Sequence, residues 1–186
     1  MAETANARRE PRRLTPSPGI GFAEMRAFTS SITIDAPREQ VFDYLVDIAN
    51  HAAFSDHYLK DFRLERIESR GVGAAARFRI ALGRSLWGEI GIAELERPYR
   101  IALEGEAGRL GRVKVHVTYR LTPSGQDMTR LEYELSTTPA TRRAELRAML
   151  GGRTWLKLQS GRALRRLARV LEEGQARSHV AGVASG

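Results

Sequence analysis

The sequence predicts an α+β domain: an antiparallel sheet of about seven strands, one face covered by a long C-terminal helix, with two short helices after the first strand. Three observations lead there. Apolar residues recur at every second position through most of the central region. Glycine and proline cut that region into consecutive hairpins. A single long amphipathic stretch closes the chain, and it is the only element long enough to cover an apolar sheet face.

The elements follow in order. Phe28, Ser30, Ile32 and Ile34 share one face of an opening strand. Asp35, Ala36 and Pro37 read as a helix start, with Asp35 as the capping side chain and proline in the first turn, where its missing N–H costs nothing. Val41, Tyr44 and Leu45 then recur at helical spacing, and a second short helix or turn is expected over residues 48–54. From there the period is two. Phe62, Leu64 and Ile67 suggest a strand with an irregularity. Phe78, Ile80 and Leu82 give the next, and Ile90 and Ile92 another over residues 86–96. Ile101 and Leu103 follow the turn at Arg97 and Pro98. Val113, Val115, Val117, Tyr119 and Leu121 form the cleanest alternation, and Leu131, Tyr133 and Leu135 complete the series. Consecutive hairpins imply an antiparallel sheet with one buried face. The long helix is expected over residues 141–173, with Leu146, Met149, Leu150, Leu156, Leu164, Leu167, Val170 and Leu171 on its apolar side.

Composition sets the outer bounds. The 186 residues are 42% hydrophobic and 28% charged, which suits one globular domain with a real core. No apolar run approaches the ~20 residues a spanning helix needs. Residues 1–24 read as a flexible basic tail, with Arg8, Arg9, Arg12 and Arg13 among Pro11, Pro16 and Pro18. Residues 25–173 form the domain and residues 174–186 a second flexible tail. The first thirty residues carry no secretory pattern, so a cytoplasmic location is expected. There is no cysteine, which removes disulfides and thiolate chemistry together. Much of the net charge of +8 lies in one late stretch, through Arg142, Arg143, Arg147, Arg153, Lys157, Arg162, Arg165, Arg166, Arg169 and Arg177, opposed there by Glu145, Glu172 and Glu173. That face reads first as a solvated helix surface, and second as a site of weak contact with an anionic membrane surface. No specific nucleic acid is expected, because the basic face lacks interleaved aromatics that could stack on bases.

Three stretches carry a resemblance. Residues 32–47, ITIDAPREQVFDYLVD, place Val41, Phe42, Leu45 and Asp47 after an Ala-Pro helix start. Residues 92–101, IAELERPYRI, form a strand, turn and strand. Residues 119–123, YRLTP, lead into a last hairpin with Gly125 and Thr129. In this order and spacing they resemble the START/polyketide cyclase (SRPBCC) superfamily, over about residues 25–173. The resemblance implies the helix-grip fold, a curved sheet wrapped around the long helix, and a pocket between them for a small apolar molecule such as a lipid, quinone or polyketide. Many relatives carry tryptophan after the second short helix, where this chain has Phe54. A polyketide aromatase/cyclase-type enzyme on the same fold is the alternative, and an interaction module using the arginine face is a further one.

The strand parity and the resemblance together nominate a ligand-binding set: Phe54, Phe78, Ile80, Ile101, Leu103, Val115, Val117, Tyr119, Tyr133, Leu135, Leu150, Trp155 and Leu156. Lys114, His116 and Arg120 should then point outward. Lys157 lies near the inner stripe, either meeting an acidic head group or snorkelling to water. Gly151, Gly152 and Gly161 leave room for a ligand beside the helix, or Gly151-Gly152 marks a break between a short helix and the long one.

Chemistry is sparse. Gly71-Val-Gly-Ala-Ala-Ala76 matches a loose dinucleotide fingerprint, but the alternating RFRIAL that follows is a strand, not the helix a pyrophosphate requires. His51 and His57 read as surface residues without metal-ligand spacing, so neither a metal nor a cofactor is expected. Glu89, Glu94, Glu132 and Glu134 read as solvated charges. No nucleophile–base pair is legible, so catalytic residues are not assigned.

Overall fold

The computed structural model describes residues 25–82, 86–108, 113–139 and 152–183. The chain runs β1 (Met25–Ile34), α1 (Arg38–Val46), a 3-10 turn (Ile48–Asn50) and α2 (His51–Ser55). Then come β2 (Leu59–Leu64), β3 (Ala75–Ile80), β4 (Leu86–Glu96), β5 (Arg100–Ala107), β6 (Val113–Pro123) and β7 (Thr129–Pro139), and finally α3 (Arg153–Val183). The strands form one antiparallel sheet in the order β1-β7-β6-β5-β4-β3-β2. Hairpins build it from β2 to β7, and β1 then joins the free side of β7, with Phe28 opposite Leu135 and Ile34 opposite Thr129.

The register aligns the apolar alternation into rows. Ile101, Tyr119 and Tyr133 lie side by side across β5, β6 and β7, and Leu103, Val117 and Leu135 form the next row. Those six side chains are buried, whereas Lys114, His116 and Arg120 are exposed. A slip of one residue would reverse both sets. The parity shifts once inside β4, where an irregularity between Ile92 and Glu94 turns Leu95 inward.

The α1 segment packs on β5 and β6, while α3 leans chiefly on β1 and α2. Val41, Phe42 and Leu45 of α1 are buried, as are Ala163, Leu164, Leu167, Ala168 and Leu171 of α3. These α3 positions follow helical spacing and put Arg162, Arg165 and Arg169 on the exposed side. Two side-chain ties fix the helix entry. Buried Thr129 Oγ1 donates to the Ala36 carbonyl at 2.6 Å. Arg97, in the β4–β5 turn, makes a two-pronged pair with Asp43 of α1 at 2.7 and 3.1 Å.

Several local expectations are corrected. Asp35 does not cap α1. The capping position belongs to Pro37, whose carbonyl accepts from Gln40 and Val41, and the Asp35 N–H meets Glu172 Oε1 of α3 at 3.4 Å. Proline fits there because a cap residue uses extended backbone, which is its preferred range. The strand expected through Ile67 ends at Leu64, and Ile67 is fully exposed. Leu82 lies past the end of β3 and is exposed. The last helix continues to Val183, beyond the end expected near Glu173. Its expected beginning, with Leu146, Met149, Leu150 and Gly151, lies outside the described residues.

Candidate functional site

The inner rows of the sheet and the inner stripe of α3 border one buried interior, to which Phe54 of α2 and Tyr58 after it also belong. Of the residues nominated from sequence, Phe54, Phe78, Ile101, Leu103, Val117, Tyr119, Tyr133 and Leu135 are buried there. Ile80, Val115, Trp155 and Leu156 are partly buried. Leu150 is outside the described residues. Near the β2 edge, Phe78 stacks on Phe62 with ring centres 6.0 Å apart. Gly88, opposite Phe78 in β4, makes room for that ring, since a Cβ there would come within 2.7 Å of it.

The structure adds residues that the strand pattern did not nominate. Tyr58, in the turn between α2 and β2, is buried and meets Trp155 of α3 edge-on at 6.2 Å. Tyr119 and Tyr133, paired across β6 and β7, have ring centres 5.4 Å apart, and Phe28 of β1 lies 6.3 Å beyond Tyr133. Ser160 of α3 is also buried. Its Oγ lies close enough to Tyr58 and Tyr133 to favour the ionised form of each phenol. That approach is not a formed bond, because Oγ has no hydrogen-bond partner. Three buried phenols and an unpaired hydroxyl therefore meet in an interior walled mainly by aromatic and aliphatic side chains.

The electrostatics are those of a neutral site. Burial pushes the Tyr58 phenol up to about 12, against a small opposing effect of Ser160. Burial also holds Tyr119 and Tyr133 well above the usual phenol value, and the neighbouring phenols add to the rise. Each tyrosine is thus a neutral O–H group that can donate or accept. No lysine, arginine, aspartate or glutamate is among the buried residues described.

The histidines need correction. His51 is not on the surface. It is buried, its Nε2 donates to the Leu45 carbonyl at 2.9 Å, and its ring meets Tyr119 edge-on at 6.0 Å. Burial lowers its pKa, outweighing the Leu45 carbonyl and Asp47. His57 is half-buried, with Nε2 on the Gln159 carbonyl at 3.3 Å and a buried Nδ1 that has no partner. Neither belongs to a metal-binding group, and no cluster of three or more such ligands occurs among the described residues.

The other candidates are placed away from the interior. Glu94 pairs with Arg100 and Glu134 with Arg120 on the outer face. Glu89 is exposed, and Glu132 alternates with the buried Leu131 and Tyr133 on β7. Gly71 and Gly73 have positive φ in the turn leading to β3, so no helix follows them. Lys157 is exposed, which leaves its head-group role without support.

This fold and this interior define a class. The chain belongs to the family described as polyketide cyclase/dehydrase and lipid transport, whose profile matches residues 25–172. It is similar to the aromatase/cyclase Zhui from Streptomyces sp. R1128, at 18% identity over 80% of this chain and 94% of that one, with a TM-score of 0.63. It is similar to norcoclaurine synthase from Thalictrum flavum, at 10% identity over 81% of this chain and 96% of that one, with a TM-score of 0.62. A conserved protein from Geobacillus kaustophilus gives 20% identity over 80% and 96%, with a TM-score of 0.61. These likenesses establish the helix-grip fold. No curated protein matches the chain.

Proposed function

We propose that this protein holds a small, largely apolar molecule between the inner face of its sheet and α3. The observation that carries this reading is the unpaired hydroxyl of Ser160, buried beside Tyr58 and Tyr133. A core built only for packing satisfies its buried polar groups, and one left without a partner calls for a bound group or water. The surrounding walls are aromatic and aliphatic, so burial at ~25 cal/mol per Å² supplies most of the drive. Family membership supports the same class of ligand. Calorimetric titration with quinones, aromatic polyketides and fatty acids tests it. Saturable binding of at least one apolar series is expected, and a response only to nucleotides or divalent metals would overturn the reading.

The meeting of several hydroxyls favours a second reading, a cyclase-type enzyme. Hydroxyl donors that hold ketone oxygens can fold a reactive chain so that one carbon faces another. Conversion of a linear poly-β-ketone to a ring product that has lost water would establish it. Binding without conversion would leave the carrier role.

The arginine face of α3 is a separate feature. Arg166 pairs with Asp56 at 2.5 Å, but Lys157, Arg162, Arg165 and Arg169 have no ion-pair partner among the described residues. Leu158, half-exposed beside them, adds an apolar contact. This arrangement supports weak attachment to an anionic membrane surface, and the attachment would weaken with salt.

A further inference from the structure

We propose that Ser160, Tyr58 and Tyr133 form a seat for one neutral carbonyl oxygen of the bound molecule. The proposal rests on the ligand-holding role just described and narrows its chemistry. The seat draws on three elements: Ser160 comes from α3, Tyr133 from β7, and Tyr58 from the turn after α2. All three residues are buried, and Ser160 Oγ makes no hydrogen bond. Trp155, Phe28 and Tyr119 stand around the two phenols and close the apolar wall.

The donor inventory sets the class. A serine hydroxyl and two phenols each bring one O–H donor. A carbonyl oxygen has two acceptor lone pairs and no hydrogen, so it can take two of these donors at once. A hydrocarbon leaves them unused. A carboxylate would be stripped of water without gaining a countercharge, since no buried lysine or arginine is described. An ammonium group meets the converse problem, for no buried carboxylate is described either. The neutral state of the phenols agrees with this selection. Lys157, nominated from sequence near the stripe, is exposed and does not alter it.

Three probes of similar shape separate the contributions: acetylnaphthalene with a ketone, naphthoate with a carboxylate, and ethylnaphthalene with no oxygen. Affinities are measured on the full chain and on Ser160→Ala and Tyr133→Phe, with melting curves to confirm that each variant is folded. Acetylnaphthalene should bind about tenfold tighter than ethylnaphthalene to the parent protein, the worth of one or two buried hydrogen bonds. Naphthoate should bind weakest. In either variant the ratio of ketone to hydrocarbon affinity should fall toward parity. Naphthoate binding as tightly as the ketone would overturn the seat, and so would a ratio unchanged in both variants. If all three bind the parent alike, the seat falls and the apolar site stands. If none binds, the apolar site falls and the seat falls with it.

Discussion

His51 shows how one side chain couples the interior to pH. Its ordinary pKa of 6.5 is lowered by burial in the fold, so the unfolded chain takes up a proton that the folded one refuses. Stability is therefore complete above the unfolded value and is lost as pH falls from about 6.5 toward the lower folded value. His57 shifts in the same direction, and its greater exposure makes its share smaller. The melting temperature should fall as pH drops below about 6.5, and His51→Gln should flatten part of that fall. An identical slope in the variant would show that another group sets it. Two glycines make a contrasting pair. A Cβ at Gly105 in β5 would press into the β4 backbone, 2.0 Å from the Glu89 carbonyl oxygen and 2.8 Å from Ile90 Cα. Gly105→Ala should cost about 3 kcal/mol or more, because backbone cannot rotate away as a side chain can. A Cβ at Gly161 on α3 meets nothing within 4 Å. Gly161→Ala should gain about 1 kcal/mol of helix stability. Chemical denaturation of both variants decides the pair, and equal effects would contradict the packing described.

At the scale of the element, α3 is held by its inner stripe. Leu167 is fully buried in that stripe, and Leu167→Ala should cost about 2–5 kcal/mol by urea denaturation. A loss below about 1 kcal/mol would mean that the helix is not docked where its pattern puts it. The fold was legible because period and punctuation agree in this chain. The Val113 to Leu121 alternation assigns the inner face of β6, and Gly71, Gly73, Pro98 and Gly125 fall where a hairpin reverses, whereas Gly105 lies inside β5. The meeting of the hydroxyls was less legible. Tyr58 lies in a turn, where no periodicity points its ring. Ser160 did leave a signal, since it stands four residues from both Leu156 and Leu164, a polar residue at a core position of the stripe. That it approaches Tyr58 and Tyr133 depends on a helix and a strand distant in sequence, which no local pattern encodes. Ile67 and Leu82 misled for a related reason. Each continues an apolar rhythm past the point where the strand has lost its partner.

At the scale of the molecule, the sheet closes by pairing β1 with β7, so the first and last strands support one another. Residues 1–24 precede that closure, and we propose that they are dispensable for it. Their removal should leave the melting transition in place, and its loss would show that they pack. Native mass spectrometry of the intact purified chain reads out whether the interior between sheet and α3 holds a neutral apolar molecule. A stoichiometric added mass is expected, released by organic solvent and identified as a neutral, oxygen-bearing apolar compound, with Ser160→Ala retaining less of it. A chain that carries no such mass and takes up none of the quinones, polyketides or fatty acids supplied to it would show that the interior is a packed core and not a binding site.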